Sequence, residues 1–218
     1  MRHEQAPAKG TAAESAAAPV PASARAGNLG NLTCSVLLGV ALAFTFFAAD
    51  ASGQRHQVSF GAGWYDPGGD DFQETESGHG LDVVVRFAAG ERLRLGVGVQ
   101  WNSHDVGFTD DDWDVVGVFV EPSLSLTAAG AAQPFVAGRI GWVRQSITAP
   151  SGDRSGTGVG VGGFVGLRLS LGGRLSLEGA VPIYYLSFGD VEIDGTERPD
   201  SDSSGRAVGL RVALNIGF

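Results

Sequence analysis

The chain has 218 residues, 34 of them glycine, and a formal charge of −9. That length suits one domain with extensions, and the acidic balance excludes nucleic acid as a partner, because phosphate binding needs a basic surface. A single cysteine, Cys34, excludes a disulfide framework and a thiolate metal centre.

Residues 1–30 are rich in Ala, Pro, Ser and Gly without periodicity, and read as a disordered or over-annotated extension. Residues 31–53 read as a secretory signal peptide. Their apolar run, 35–49, is shorter than the roughly 20 residues a spanning helix needs. Arg2, Lys9 and Arg25 precede it, and Ala49-Asp50-Ala51 offers a small-residue cleavage site. Cys34 lies before the run, the wrong side for a lipoprotein attachment cysteine. Residues 54–218 form the mature domain.

Apolar residues there recur with a period of two, the signature of strands with one apolar face. The first strand shows Val58, Phe60, Ala62 and Trp64, the second Leu81, Val83, Val85 and Phe87, and the third Leu93, Leu95, Val97, Val99 and Trp101. The fourth shows Val116, Val118, Val120, Pro122, Leu124 and Leu126, with Pro122 forfeiting a ladder hydrogen bond. The fifth shows Val136, Gly138, Ile140 and Trp142, the sixth Val159, Val161, Gly163, Val165, Leu167, Leu169 and Leu171, and the seventh Leu175, Leu177, Val181, Ile183 and Tyr185. The eighth shows Val208, Leu210, Val212, Leu214, Ile216 and Phe218, at the end of the chain.

Connections alternate in length. Residues 88–91, 127–133 and 172–173 are short joins, whereas 66–80, 103–114, 147–156 and 189–205 are long. Short turns at one rim and long loops at the other are the asymmetry of outer-membrane barrels, whose bacterial single-chain forms have an even strand number. With the amino-terminus on the periplasmic side, Trp64, Trp101, Trp142 and Tyr185 fall at the outer ends of the odd strands and form an interfacial aromatic girdle.

The opposite parity then faces a lumen. It carries Asp82, Arg86, Arg94, Glu121, Arg139, Arg168, Glu178 and Arg211, a charge network in which buried guanidiniums need carboxylate partners. Eight strands enclose an interior that side chains normally fill, so the network is expected to plug the barrel; the alternative is a narrow channel gated by Arg/Glu pairs. Inward glycines leave room for water pockets beside Tyr65, Phe119, Phe164 and Tyr184. Most of the acidic charge falls in the long loops, which read as a solvated surface. Asp110-Asp111-Asp112 and residues 190–194 are the places for a divalent cation, without EF-hand spacing. Ser103-His104-Asp105, and Glu76-Ser77 with His79, are the candidates for nucleophile chemistry. No phosphate-cradling glycine loop occurs, since the Gly-x-Gly runs lie on strands.

From about Val58 to Phe218 this pattern resembles the small eight-stranded outer-membrane barrels of the OmpA and OmpX type. The resemblance implies an all-β, antiparallel, up-and-down transmembrane barrel, a monomer in the bacterial outer membrane. It implies contact with lipid and lipopolysaccharide, and barrel-assembly machinery that reads Leu210, Val212, Leu214, Ile216 and the terminal Phe218. A structural or adhesive role through the acidic loops is expected, with extracellular ligands as candidate partners. Neither cofactor nor enzymatic activity is expected; a lipid A-modifying enzyme is the third reading, although the His-x-Ser strand signature of the lipid A deacylases is absent.

Overall fold

The structure is a computed structural model that describes residues 56–69, 72, 75–107, 111–128, 130–148, 153–193, 196–198 and 202–218. The expected extension and signal peptide, 1–30 and 31–53, lie outside them. Among the described residues nine strands form: β1 (Gln57–Gly68), β2 (Gly78–Ala88), β3 (Leu93–Val106), β4 (Asp111–Ser125), β5 (Ala132–Thr148), β6 (Arg154–Gly172), β7 (Leu175–Ile193), β8 (Thr196–Arg198) and β9 (Ser203–Gly217). Each long strand pairs antiparallel with its neighbours, β6 pairs with β7, and β9 pairs with both β7 and β1, so eight strands close on themselves. Closure removes the unpaired edges an open sheet would leave. The ninth strand, β8, is a three-residue addition to the outer end of β7.

The closing strand predicted from its alternation is β9. Gln57 to Gly68 of β1 pair with Gly217 to Arg206 of β9, and Val208, Leu210, Val212, Leu214 and Ile216 face outward, with Leu210 62% exposed. The hydrogen-bonded register staggers the barrel. From Gly61 it passes through Asp82, Gln100, Gly117, Val143, Gly158 and Phe188 to Ser203, whereas the direct partner of Gly61 on β9 is Ala213, ten residues further along. A stagger of this kind tilts the strands by roughly 35–45° from the barrel axis.

One expectation needs correction. Half or more of the second and third long outer connections is strand: β3 runs to Val106 and β4 resumes at Asp111, while β5 runs to Thr148 and β6 resumes at Arg154. Polar, acidic residues read as loop, yet backbone pairing such as Asp105 with Asp112 carries the sheet on past the apolar segments. As expected, Pro122 interrupts a ladder: it keeps its place opposite Leu95 of β3, but the pairing with β5 breaks after Val120 and resumes at Ser123 with Ala137. A missing N–H therefore costs one side of the ladder only.

At the other rim the turns are tight. Gly172 (φ +98°) and Gly173 (φ +59°) join β6 to β7 in the left-handed region, where a Cβ is strained. His56 packs its ring edge-on to Phe87 (5.3 Å) and beside Phe218 (5.8 Å), and the His56 and Phe218 backbones exchange two hydrogen bonds.

Candidate functional site

The lumen is filled in three layers. Nearest the rim of tight turns is an ion network. Arg86 of β2 donates to Glu121 of β4 at 2.7 Å and to Glu178 of β7 at 3.3 Å, and reaches the Asn215 side-chain oxygen at 3.0 Å. Arg211 of β9 grips Asp82 through two hydrogen bonds of 2.6 Å each, and Glu178 through a third of 2.6 Å. Arg168 of β6 donates to Glu178 at 2.8 Å, and Arg139 of β5 forks onto Glu121 while donating to Gln100 at 2.8 Å. All seven charged groups are buried. They are the residues expected from strand parity, and the structure brings them together. Arg94, the eighth expected member, lies below them, half-buried, with a hydrogen bond to Gln57 at 3.2 Å.

Four guanidiniums (Arg86, Arg139, Arg168, Arg211) meet three carboxylates (Asp82, Glu121, Glu178), leaving one surplus positive charge. Desolvating each ion costs several kcal/mol, so only full pairing makes this arrangement tolerable. Aromatic faces take up part of the surplus. The Arg139 guanidinium lies 3.5 Å from the Phe119 ring centre and 4.7 Å from that of Phe164, and Arg168 lies 5.0 Å from Phe135.

Phe164 forms the second layer with Tyr65 and Tyr184, and Phe135 of the same cluster lies toward the rim of tight turns, opposite Gly166. The inward glycines make room for these rings, and a small cavity of the expected kind lies beside Phe119 and Tyr184. A Cβ on Gly98 would strike the Phe119 ring, one on Gly162 the Tyr184 ring and one on Gly166 the Phe135 ring, whereas one on Gly141 would strike the Val118 carbonyl. The rings occupy the space the glycines leave. Among the described residues that cavity, of about 10 Å³, lies beside Arg139, Gln100 and Tyr184 and has room for a single water.

The third layer was not anticipated. Phe72, from the β1–β2 connection, stacks on Trp113 at 4.9 Å and is buried with Val115, Val143, Leu186 and Phe188. His104 covers Trp113 from β3 at 4.9 Å, and Trp113 donates to Gln145 at 3.1 Å. Burial holds the His104 imidazole below its ordinary pKa, although its Nδ1 lies 3.2 Å from the Glu76 carbonyl oxygen.

At this cap the apolar residues change from the outward to the inward parity, while the alternation of the strands continues unbroken. Along β4, Val116, Val118 and Val120 face outward, whereas further out Trp113 and Val115 face inward and Asp112 and Asp114 outward. On β5 the change falls between outward Trp142 and inward Val143, and on β7 between outward Tyr185 and inward Leu186. The girdle residues mark the switch. From Trp64 the register reaches Ser103, Ser146 and Glu192, and Trp101, Trp142 and Tyr185 lie two, four and seven residues inward of these. A ten-residue stagger over eight strands lowers a level plane by a little over one residue per strand, which puts all four rings at one height.

The candidate nucleophile sets are not assembled. His104 points inward, and its neighbours Ser103 and Asp105 lie on the opposite face, as alternation along a strand demands. His79 faces outward against Trp101 at 5.7 Å. Among the described residues no group of three or more His, Cys, Asp or Glu is placed to hold a metal. Asp110 and Asp194 lie outside the described residues.

No family model and no curated protein matches the chain. Solved structures do. Neisserial surface protein A is 15% identical with a TM-score of 0.55, over 78% of this chain and 99% of that one. Ail, the attachment invasion locus protein of Yersinia pestis, is 10% identical with a TM-score of 0.50, over 75% and 98%. Ail in complex with the heparin analogue sucrose octasulfate aligns at 12% identity and 0.50, over 76% and 99%. The chain has the eight-stranded antiparallel barrel fold of these surface proteins.

Proposed function

We propose that the protein resides in the bacterial outer membrane as a sealed, monomeric barrel that presents its acidic outer extensions to other surfaces. The observation that carries this reading is the change of apolar parity at the aromatic level. Below Trp64, Trp101, Trp142 and Tyr185 the apolar face points outward, which suits lipid; above them it points inward, which suits water. Lipid and lipopolysaccharide are the expected surroundings of the outward face, and the barrel-assembly machinery would read β9. A cleaved signal peptide supplies the export route.

The ion network and the two layers above it favour an anchor over a pore, and the scattered Ser103, His104 and Asp105 favour a non-catalytic role. Neighbours of this fold are surface proteins, and Ail holds a sulfated sugar analogue. Here the outer extensions carry Asp66, Asp105, Asp112, Asp114, Glu192 and Asp202, so a polyanion is repelled and a basic surface is the better partner. Cells displaying the protein should adhere to polylysine-coated surfaces more than to heparin-coated ones. Replacing Asp105, Asp112 and Asp114 together with Asn should lower that preference. Equal adhesion to both surfaces, or no effect of the replacement, would sink the reading.

A further inference from the structure

Below the ion network the barrel opens into a vestibule of about 410 Å³ at the rim of tight turns. Its wall includes Arg94, Arg168, Arg174, Gln57, Gln133 and Ser176, with Phe218 at its edge, and among the described residues no Asp or Glu side chain lines it. In a chain of net charge −9 this is a local reversal of sign. The network above adds to it, because Glu178 already serves Arg86, Arg168 and Arg211, and the buried set as a whole carries one unbalanced cation. Arg174 is held at the mouth by the left-handed Gly172-Gly173 turn, and its carbonyl accepts the Gly217 N–H at 2.7 Å. The volume falls in the range of small-molecule sites, and polar side chains beside guanidinium forks are the groups that hold oxyanions.

We propose that this vestibule binds a compact multivalent oxyanion from the periplasmic side. The walls offer donors on several strands: Arg94 on β3, Gln133 on β5, Arg168 on β6 and Ser176 on β7. An anion seated among them meets converging charge rather than one flexible side chain. Arg168 forms the ceiling, only 4% exposed and fixed by Glu178 and Phe135, so part of the site is preorganised. The proposal goes beyond surface display, because it concerns the opposite mouth.

The test uses the full chain folded in maltoside micelles, titrated calorimetrically with tripolyphosphate, with long-chain polyphosphate and with acetate. Saturable tripolyphosphate binding is expected, at least tenfold tighter than acetate and weakening as salt rises. Arg174→Gln and Arg94→Gln should each weaken it by tenfold or more, while Arg206→Gln, on the exposed face of β9, should leave it unchanged. Binding of the long chain alone would assign the oxyanion to a polymer. No saturable binding of either phosphate, or tripolyphosphate binding that Arg174→Gln leaves intact, would overturn the site.

Discussion

Arg211 and Asp82 meet across an intervening strand. Their two hydrogen bonds of 2.6 Å join β9 to β2 over the backbone of Gly61 on β1, where a Cβ would lie 2.5 Å from the Asp82 carboxylate and 2.7 Å from the guanidinium. The pair thus links strands that share no ladder and ties the closing strand to the start of the barrel. Removing one partner strands a buried charge, so Asp82→Ala should cost about 3–5 kcal/mol in urea unfolding from lipid vesicles. Asp82→Leu with Arg211→Met should restore most of that loss. A single-mutant cost below about 1 kcal/mol would mean that water reaches the pair.

The filled lumen predicts electrical silence. The protein inserted in planar bilayers should give no stepwise conductance, because Arg139, Glu121 and the Phe119 ring close the cross-section. Glu121→Ala with Arg139→Ala removes that closure and should produce small flickering currents. Steady channels from the unaltered protein would refute the plug.

The cap should open separately from the barrel. Phe72 enters it from a connection, its ring against Trp113 and close against Gly205. Phe72→Ala should lower the local stability of the cap by about 3 kcal/mol. Native-state hydrogen exchange should report this at the outer end of β4, with β9 protection near Ala213 unchanged.

Acid should loosen the same cap. Burial depresses the His104 pKa, so the unfolded state takes up a proton at a higher pH than the folded one. The stability this neutral ring contributes is fully present above its unfolded pKa of about 6.5, and is lost as pH falls through that value toward the lowered folded one. Trp113 fluorescence should therefore change between about pH 6.5 and more acid values, and His104→Phe should abolish the change. A transition that survives in His104→Phe would assign it to another group.

Strand parity made most of this barrel legible. Arg86, Glu121, Arg139, Arg168, Glu178 and Arg211 alternate with lipid-facing apolar residues, so their common face follows from the period of two. Their partners do not: Arg211 choosing Asp82 depends on a stagger visible only once the strands are paired. The cap was hidden for a different reason. Val115, Val143 and Leu186 obey the inward parity but are apolar, which reads as a break in pattern unless the solvent outside changes from lipid to water. Val84, wholly buried between Asp82 and Arg86 on β2, is an apolar residue at the inward parity within the lipid-facing part of the barrel. Phe72 is a lone aromatic among polar neighbours and carries no periodic signal. The vestibule was hidden because its wall gathers residues of distant strands, which parity alone does not bring together.

The change of apolar parity is tested most directly by a nitroxide scan of the outward positions of β4 in lipid vesicles. Labels at Val118 and Val120 should be relaxed by oxygen and shielded from an aqueous nickel reagent, and labels at Asp112 and Asp114 should show the reverse, with the crossover near Val116. Free access of the aqueous reagent to Val118 and Val120 would contradict a lipid-facing barrel.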